Sequence, residues 1–273
     1  MLPYLHIAGV SVPTYGLIVA AAIVCAAWLA IARAPRYGIE PRFAVRVTAY
    51  TVFTAVVGCR LGDMLIHPAV YWHSPLALLH SGGTFLFGFL AATLIVVAFG
   101  IRYRISGWTM GDCGAPAFAL GIAIGRLGCF VAGCDFGRPS TLPWSVTFTN
   151  PTAAQLGGVP LGIPLHPSQL YESFYEFGVF FLLMVLARKP RRPGFLMWTF
   201  AVFYSAGRFF LEFFRGDLDR GFWGPLSTSQ WLSAFLLLLL LLLYQWPATH
   251  ASSSTLNASR IPTPLPHPSN NSS

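Results

Sequence analysis

Three arginines fall within or at the ends of apolar stretches of this sequence, namely Arg60, Arg126 and Arg208. An arginine in the middle of a membrane costs about 2.5–3.5 kcal/mol on the insertion scale, so each needs a partner or a role in chemistry. Asp63 and Glu212 follow the first and third of them at helical spacing and could form structural ion pairs. For Arg60, a structural and a functional role are equally open. Arg126 has no carboxylate three or four residues away, which favours an interhelical partner or an anionic ligand.

The segment GRLGCFVAGCDFGR, from Gly125 to Arg138, is the most unusual in the chain. Its glycines allow a ligand to approach the backbone closely and permit a positive φ where a helix breaks. A broken helix at the membrane edge exposes backbone polar groups, which is tolerated only where protein or a wet cavity covers them. Arg126 and Arg138 bracket the break. Their guanidinium groups have the shape to hold a phosphate headgroup.

A polar stripe is predicted on the helix that follows His166. Gln169, Glu172 and Glu176 are spaced to share one helical face. Their two carboxylates could form ion pairs with arginines on other helices of a bundle. For Glu176, a salt bridge that only fixes helix packing is the preferred interpretation.

A second polar face is predicted near the end of the apolar part of the chain. Arg208, Glu212 and Arg215 recur at helical spacing within an otherwise aromatic segment. This face requires a polar counterpart inside the bundle, because lipid cannot solvate it.

The composition indicates an integral membrane protein. Of 273 residues, 55% are apolar and only 10% are charged, well below the roughly one quarter that a soluble domain carries. The many aromatic residues exclude intrinsic disorder as the overall state. The formal charge of +8 comes from arginines in short clusters between apolar stretches, which excludes the single basic face of a nucleic-acid-binding protein. The five cysteines have neither a disulfide-framework pattern nor zinc-site spacing.

The apolar stretches predict an all-α protein with seven transmembrane helices and an external head region between helices 4 and 5. The spans are expected at residues 15–32, 45–66, 84–99, 112–132, 168–187, 194–214 and 230–246. Eleven basic residues fall on one side of this topology, against Arg138, Arg215 and Arg220 on the other. The positive-inside rule therefore places the N-terminus outside, the C-terminus in the cytoplasm and the 133–167 loop outside. Residues 1–246 would form one membrane domain and residues 247–273 a disordered cytoplasmic tail. No removable signal peptide is expected.

The sequence resembles the bacterial prolipoprotein diacylglyceryl transferase family over its whole length except the tail. HPSQLYE followed at this distance by RFxxEFFR is the most specific match. The matching motifs occur in the family's order and are YGL at 15–17, GCRLG at 58–62, Gly82-Gly83, GRLGxFxxG at 125–133, Gly137-Arg138, HPSQLYE at 166–172 and RFxxEFFR at 208–215.

The resemblance implies transfer of a diacylglyceryl group from phosphatidylglycerol to the lipobox cysteine of a prolipoprotein signal peptide, in the bacterial inner membrane. It implies a thioether product, glycerol phosphate as the leaving group, and no metal or organic cofactor. Arg126, Arg208, His166 and Glu212 are the implied catalytic residues. The substrate-binding residues implied by the matches and their neighbours are Tyr15, Arg60, Gly82, Gly83, Cys129, Cys134, Arg138, Gln169 and Arg215.

Three positions depart from the family pattern. Phe87 replaces a histidine that is a leading candidate for the base, and a phenylalanine cannot accept a proton. His80 lies seven residues earlier, about 10 Å away if helical, and is a poor substitute. Cys129 and Cys134 replace the family's asparagine and glutamate, and Asp135 could recover part of the acidic function.

These departures leave alternatives open. Arginine electrostatics could suffice, with His166 or a carboxylate as the base. Cys129 and Cys134 could instead act as a reversible disulfide, as an acceptor thiol or as space-filling residues. A disulfide would require the helix to break between them, as Gly133 permits. A catalytically silent lipid-binding or lipoprotein-binding paralogue, and a membrane thiol oxidoreductase, are the competing functions.

Overall fold

The computed structural model of the chain describes residues 4–7, 10–73, 84–217 and 221–242, and this part is mostly helical. Its strands form three two-stranded antiparallel sheets: β1 (Tyr4–Ile7) with β2 (Val10–Pro13), β3 (Val146–Thr147) with β4 (Pro164–Leu165), and β5 (Phe222–Trp223) with β6 (Leu226–Ser227). Nine α-helices occur within the described residues, namely α1 (Thr14–Arg33), α2 (Pro41–Ile66), α3 (Pro68–His73), α4 (Phe85–Tyr103), α5 (Gly107–Ala132), α6 (Pro151–Gly157), α7 (Ser168–Leu186), α8 (Phe195–Leu211) and α9 (Thr228–Leu242).

Five of these helices are long and apolar enough to cross a membrane: α1, α2, α4, α5 and α7. Large apolar side chains such as Leu94 and Leu238 are more than half exposed, as expected where lipid rather than water is the solvent. The prediction of an all-α membrane protein is therefore confirmed. Helix α8 has 17 residues and α9 has 15, so the count of seven spans stays a prediction. The predicted tail and Gly82, Gly83 and His80 lie outside the described residues.

Helix α5 lies at the centre of the bundle, in contact with α1, α7 and α8. Its buried face consists of small residues, of which Ala119 and Ala123 are fully buried. A Cβ added at Gly121 would lie 3.4 Å from the Cβ of Ala26 on α1. Small residues at these positions let the helix backbones approach closely, which is how helices associate in lipid.

Helices α2 and α4 form a second close pair. A Cβ at Gly62 would lie 2.4 Å from the side chain of Phe87, and one at Gly88 would lie 2.2 Å from the Cys59 sulfur. Any larger residue at Gly62 or Gly88 would therefore force these helices apart. Phe87 serves here as a packing residue between the two helices.

The segment between α5 and α7 folds into a small head. Its core consists of Phe148, Ala153, Val159 and Leu165, all buried. The head joins the end of α8 through backbone hydrogen bonds from Arg138 N to Phe214 O and from Gly216 N to Phe136 O, both 2.9 Å. The C-terminal ends of α5 and α8 and the N-terminal end of α7 thus meet at one end of the bundle.

A different arrangement holds the opposite end. Arg33, which is buried, donates to the backbone carbonyl oxygen of Cys113 at 3.3 Å and to the Tyr37 hydroxyl at 2.8 Å. The carboxylate of Asp112 accepts from the backbone N–H groups of Gly194 and Met197 at 2.7 and 2.9 Å, where α8 begins. These contacts satisfy donors that a helix start leaves without intrahelical partners and fix α8 against α5.

Candidate functional site

Arg126 lies near the C-terminal end of α5 and is held by two carboxylates. Its Nε is 2.7 Å from Oε2 of Glu172 on α7, and its Nη1 is 2.6 Å from Oδ2 of Asp135 in the head. Of the two alternatives expected for this arginine, an interhelical partner or an anionic ligand, the structure shows the interhelical partner. The Arg126 side chain keeps 19% of its surface exposed, so it can still be approached.

Arg208 on α8 joins the same network. Its Nη1 lies 3.1 Å from Glu172 Oε1, and its Nη2 lies 3.2 Å from Glu212 Oε2, which confirms the predicted pair at i, i+4. Glu172 therefore bridges Arg126 and Arg208. Glu212 is oriented by the hydroxyl groups of Ser227 and Ser229, which donate to its Oε1 at 2.9 and 2.5 Å.

Arg215 is the third arginine of the network and is 5% exposed. It forms an ion pair with Asp135 and another with Asp217, whose Oδ2 is 2.6 Å from Nη2. Burial opposes the charge of Arg215, but these carboxylates raise the pKa of its guanidinium above the ordinary value. Burial also opposes the charge of Asp135 and by itself would raise the pKa of this carboxyl. The positive charges of Arg126 and Arg215 more than offset burial and leave that pKa below its usual range.

The network is therefore an array of ion pairs and not a bare cationic patch. Three arginines face four carboxylates, those of Asp135, Glu172, Glu212 and Asp217. An anion that enters must compete with these carboxylates, which are fixed by the fold. Arg138 differs: it is exposed and has no carboxylate within 4.0 Å in the described part of the chain, and its Nε donates to Arg215 O at 3.2 Å.

The helix break predicted after Arg126 is confirmed. Helix α5 ends at Ala132, and Gly133 takes a φ of 80°. Two residues of α7 hold the segment that follows: Gln169 Nε2 donates to Cys134 O at 2.7 Å, and Ser168 Oγ donates to Asp135 O at 2.9 Å. Gln169, predicted to bind substrate, thus positions the loop that carries Asp135.

The two cysteines of this segment lie together and are both free thiols. The Cys134 thiol donates to the backbone oxygen of Cys129 at 3.7 Å, and it also forms a hydrogen bond with the Cys129 thiol. This hydrogen bond and burial raise the pKa of the Cys134 thiol. The ring of Tyr15, on α1, packs against α5 close to these cysteines. A Cβ added at Gly128 would lie 3.3 Å from this ring.

His166 does not contact the arginine network within the described residues. Its Nδ1 is 3.3 Å from the hydroxyl of Tyr171, which accepts from Trp144 Nε1 at 2.7 Å. The imidazole also packs edge-on against Phe214. His166 lines a cavity of about 550 Å³ in the head, together with Pro139, Ser140, Thr141, Leu142, Ile163 and Pro164.

The prediction that Glu176 forms a salt bridge is wrong for the described residues. Glu176 is 5% exposed, and its Oε2 has no hydrogen-bond partner there. It lies one helical turn beyond Glu172, which already forms ion pairs with both Arg126 and Arg208.

On α2, Asp63 accepts a hydrogen bond from Tyr71 of α3.

Comparisons with known proteins show the family to which the chain belongs. The sequence model of a family described as prolipoprotein diacylglyceryl transferase matches residues 3–246. A phosphatidylglycerol–prolipoprotein diacylglyceryl transferase 2 of Clostridium perfringens is 29% identical over 88% of this chain and 92% of its own length. A protein named phosphatidylglycerol–prolipoprotein diacylglyceryl transferase from Nitrosomonas europaea is 35% identical over 78% of this chain and 76% of its own length. A protein of the same name from Bordetella avium is 40% identical over 67% of this chain and 69% of its own length. Because the match extends over nearly the whole chain, this chain belongs to the prolipoprotein diacylglyceryl transferase family.

Proposed function

We propose that this chain transfers the diacylglyceryl group of phosphatidylglycerol to the lipobox cysteine thiol of a prolipoprotein signal peptide. The observation that carries the residue assignment is the Arg126–Glu172–Arg208 bridge, where three helices meet beside the broken end of α5. Charged groups inside a membrane protein are costly, and Arg126 and Arg208, which keep 19% and 16% of their side chains exposed, can act on a substrate. The family and the apolar helices support the same activity.

The phosphate of the lipid headgroup is assigned to Arg138 and Arg126. Arg138 is exposed and has no carboxylate partner in the described residues, so its charge is available to an incoming anion. Arg126 is partly exposed and can exchange a contact with Asp135 for one with phosphate. Arginine forks bind phosphate oxygens with two parallel hydrogen bonds.

The reaction is a displacement at the glycerol carbon that bears the phosphate. The sulfur of the acceptor cysteine forms the new carbon–sulfur bond, and the carbon–oxygen bond breaks with its electron pair going to the phosphate oxygen. Glycerol phosphate leaves, and its growing negative charge is stabilised by Arg126 and Arg208. Fixed cations of this kind lower a barrier because they need no reorganisation during the reaction.

Activation of the acceptor thiol is assigned to His166, whose imidazole takes up the thiol proton. Phe87 cannot accept a proton, and Asp135 is a weak base because two arginines hold it ionised. His166 lies beside the cavity of the head, where an extended peptide could enter. Glu212 acts on Arg208, which it orients from within the bundle.

We also propose seven spans in the bacterial inner membrane, with α8 and α9 as the sixth and seventh. The arginine network and the head lie at one end of the bundle, while Arg33 lies at the other, with the basic cluster of residues 33–46. The positive-inside rule then places the head and the N-terminus outside and the C-terminus in the cytoplasm. In this proposal residues 1–246 form the membrane domain and residues 247–273 a cytoplasmic tail.

Expression of the chain in cells depleted of their own transferase tests the activity. Restored processing of lipoproteins is the expected result, and its loss in Arg126→Ala is expected with the protein still in the membrane. Arg36→Ala, at the opposite end and exposed, is the control that should restore processing. A chain that inserts well but restores nothing would indicate a silent lipid-binding or lipoprotein-binding paralogue.

A further inference from the structure

We propose that Cys129 and Cys134 form a binding site for one soft, thiophilic metal ion, held between their two thiolates. The two sulfur atoms and a carboxylate oxygen of Asp135 all lie within 4.8 Å of one another. Five residues apart, the two cysteines have no metal-motif spacing in the sequence. Only the break of α5 at Gly133 brings them together.

The two sulfurs lie within 4.8 Å of each other, which is close to the spacing that one shared ion would require. A thiolate binds a metal such as zinc at about 2.3 Å, so two sulfurs on one ion are at most roughly 4.6 Å apart. A disulfide requires a sulfur–sulfur distance of about 2.05 Å, and both cysteines are free here. An ion can therefore enter with little movement of either side chain.

The backbone around the sulfurs is already fixed by other contacts. Gln169 and Ser168 hold the carbonyl groups of Cys134 and Asp135, and a Cβ at Gly157 would lie 2.4 Å from Gly133 C. A site that is fixed before the ligand arrives loses little conformational entropy on binding.

The neighbouring charges select the class of ion. Both oxygens of Asp135 are held by arginines, one by Arg126 and the other by Arg215. A divalent ion that requires four ligands would have to take this carboxylate away from them. Copper(I) is stable with two sulfur ligands, and soft thiolate sites favour it. Two thiolates with one monovalent cation carry a single net negative charge, which Arg126 stabilises.

Copper(I) binding to the purified, reduced full-length chain in detergent tests the proposal. Competition with the chromophoric chelator bicinchoninate should show one copper ion per chain, and X-ray absorption should show a shell of two sulfurs. Cys129→Ser and Cys134→Ser should each abolish binding. Cys25→Ser, which changes an exposed cysteine of α1, should leave it unchanged.

Two results would overturn the proposal. One is equal copper binding by the wild type and the double variant Cys129→Ser, Cys134→Ser. The other comes from a labelling experiment on the wild type, which needs no serine variant to fold. Copper(I) is expected to protect Cys129 and Cys134, but not Cys25, from alkylation by N-ethylmaleimide. Unchanged labelling of all three would contradict the site.

Discussion

Both ends of the helical bundle contain buried arginines and carboxylates, but they use them differently. At the Arg33 end, the arginine donates to the Cys113 carbonyl group and Asp112 caps the start of α8, so these contacts fix α1 and α8 against α5. Arg33 is 3% exposed. At the head end, Glu172 is shared by Arg126 and Arg208, whose side chains are 19% and 16% exposed. The same residue types thus provide stability at one end and a reachable charged site at the other.

Removal of an arginine at the head end should have the largest effect. Arg208→Ala is expected to lower diacylglyceryl transfer by at least about 100-fold, because stabilisation of the leaving phosphate is lost. The measurement is transfer from phosphatidylglycerol to a lipobox peptide, normalised to folded protein in the membrane. Wild-type rates in this variant would refute its assigned role.

The opposite end should respond in stability instead. Asp112→Ala leaves the backbone N–H groups of Gly194 and Met197 without their partner, at a cost of roughly 1–3 kcal/mol for each unsatisfied group. Thermal unfolding in detergent should occur at a lower temperature, while the rate per folded molecule stays near the wild-type value. A selective loss of rate without loss of stability would contradict the comparison.

Arg138 should separate binding from chemistry. Arg138→Ala is expected to raise the KM for phosphatidylglycerol about tenfold with a smaller change in kcat, because the contact exists both before and during the reaction. Steady-state kinetics with lipid in mixed micelles measure both constants. A fall in kcat at constant KM would instead place Arg138 in the displacement step.

Phe87→His tests whether a base is merely missing from the site. If it is, the rate should rise several-fold. Gly62 leaves room for a ring at this position, so an imidazole should fit between α2 and α4. The same initial-rate assay applies, with Phe87→Leu as the control for packing. An equal rate in both variants would show that the acceptor thiol is activated without this position.

The smallest effect is expected from pH. Because Arg126 and Arg215 hold the pKa of Asp135 below its unfolded value, the stability it contributes is present above that unfolded value, about 4. It is lost as the pH falls through the lower, folded pKa. Thermal unfolding between pH 7 and pH 3 should therefore show a steeper acid loss in the wild type than in Asp135→Asn. Parallel curves would mean that the ion pairs do not stabilise the fold.

Hydropathy and spacing predicted much of this molecule, because lipid imposes simple limits on helix length and on charge. The glycines predict the broken helix after Arg126, and helical spacing predicts the Arg208–Glu212 pair. For Arg126, spacing leaves an interhelical partner and an anionic ligand as alternatives, of which the structure shows the first. Spacing does not predict that Glu172 lies at the centre of the network. Its arginine partners are determined by how α5, α7 and α8 pack.

Other features depend on contacts between distant segments. Spacing places Glu176 on the same helical face as Glu172 and predicts a packing salt bridge for it, yet it has no ion pair among the described residues. Asp217 follows Arg215 by two residues, a spacing that carries no helical signal. His166 matched a catalytic motif, but its imidazole contacts Tyr171 and Phe214 and none of the three network arginines in the described part of the chain. Only the packing of the head against α7 and α8 decides these orientations.

Transfer by the purified chain, from phosphatidylglycerol to a lipobox peptide, tests the central claim most directly. Wild-type chain and Arg36→Ala should form the thioether-linked product and release glycerol phosphate. Arg126→Ala, equally well inserted, should form neither. Equal product from all three chains would contradict the assignment of the reaction to the arginine–carboxylate network.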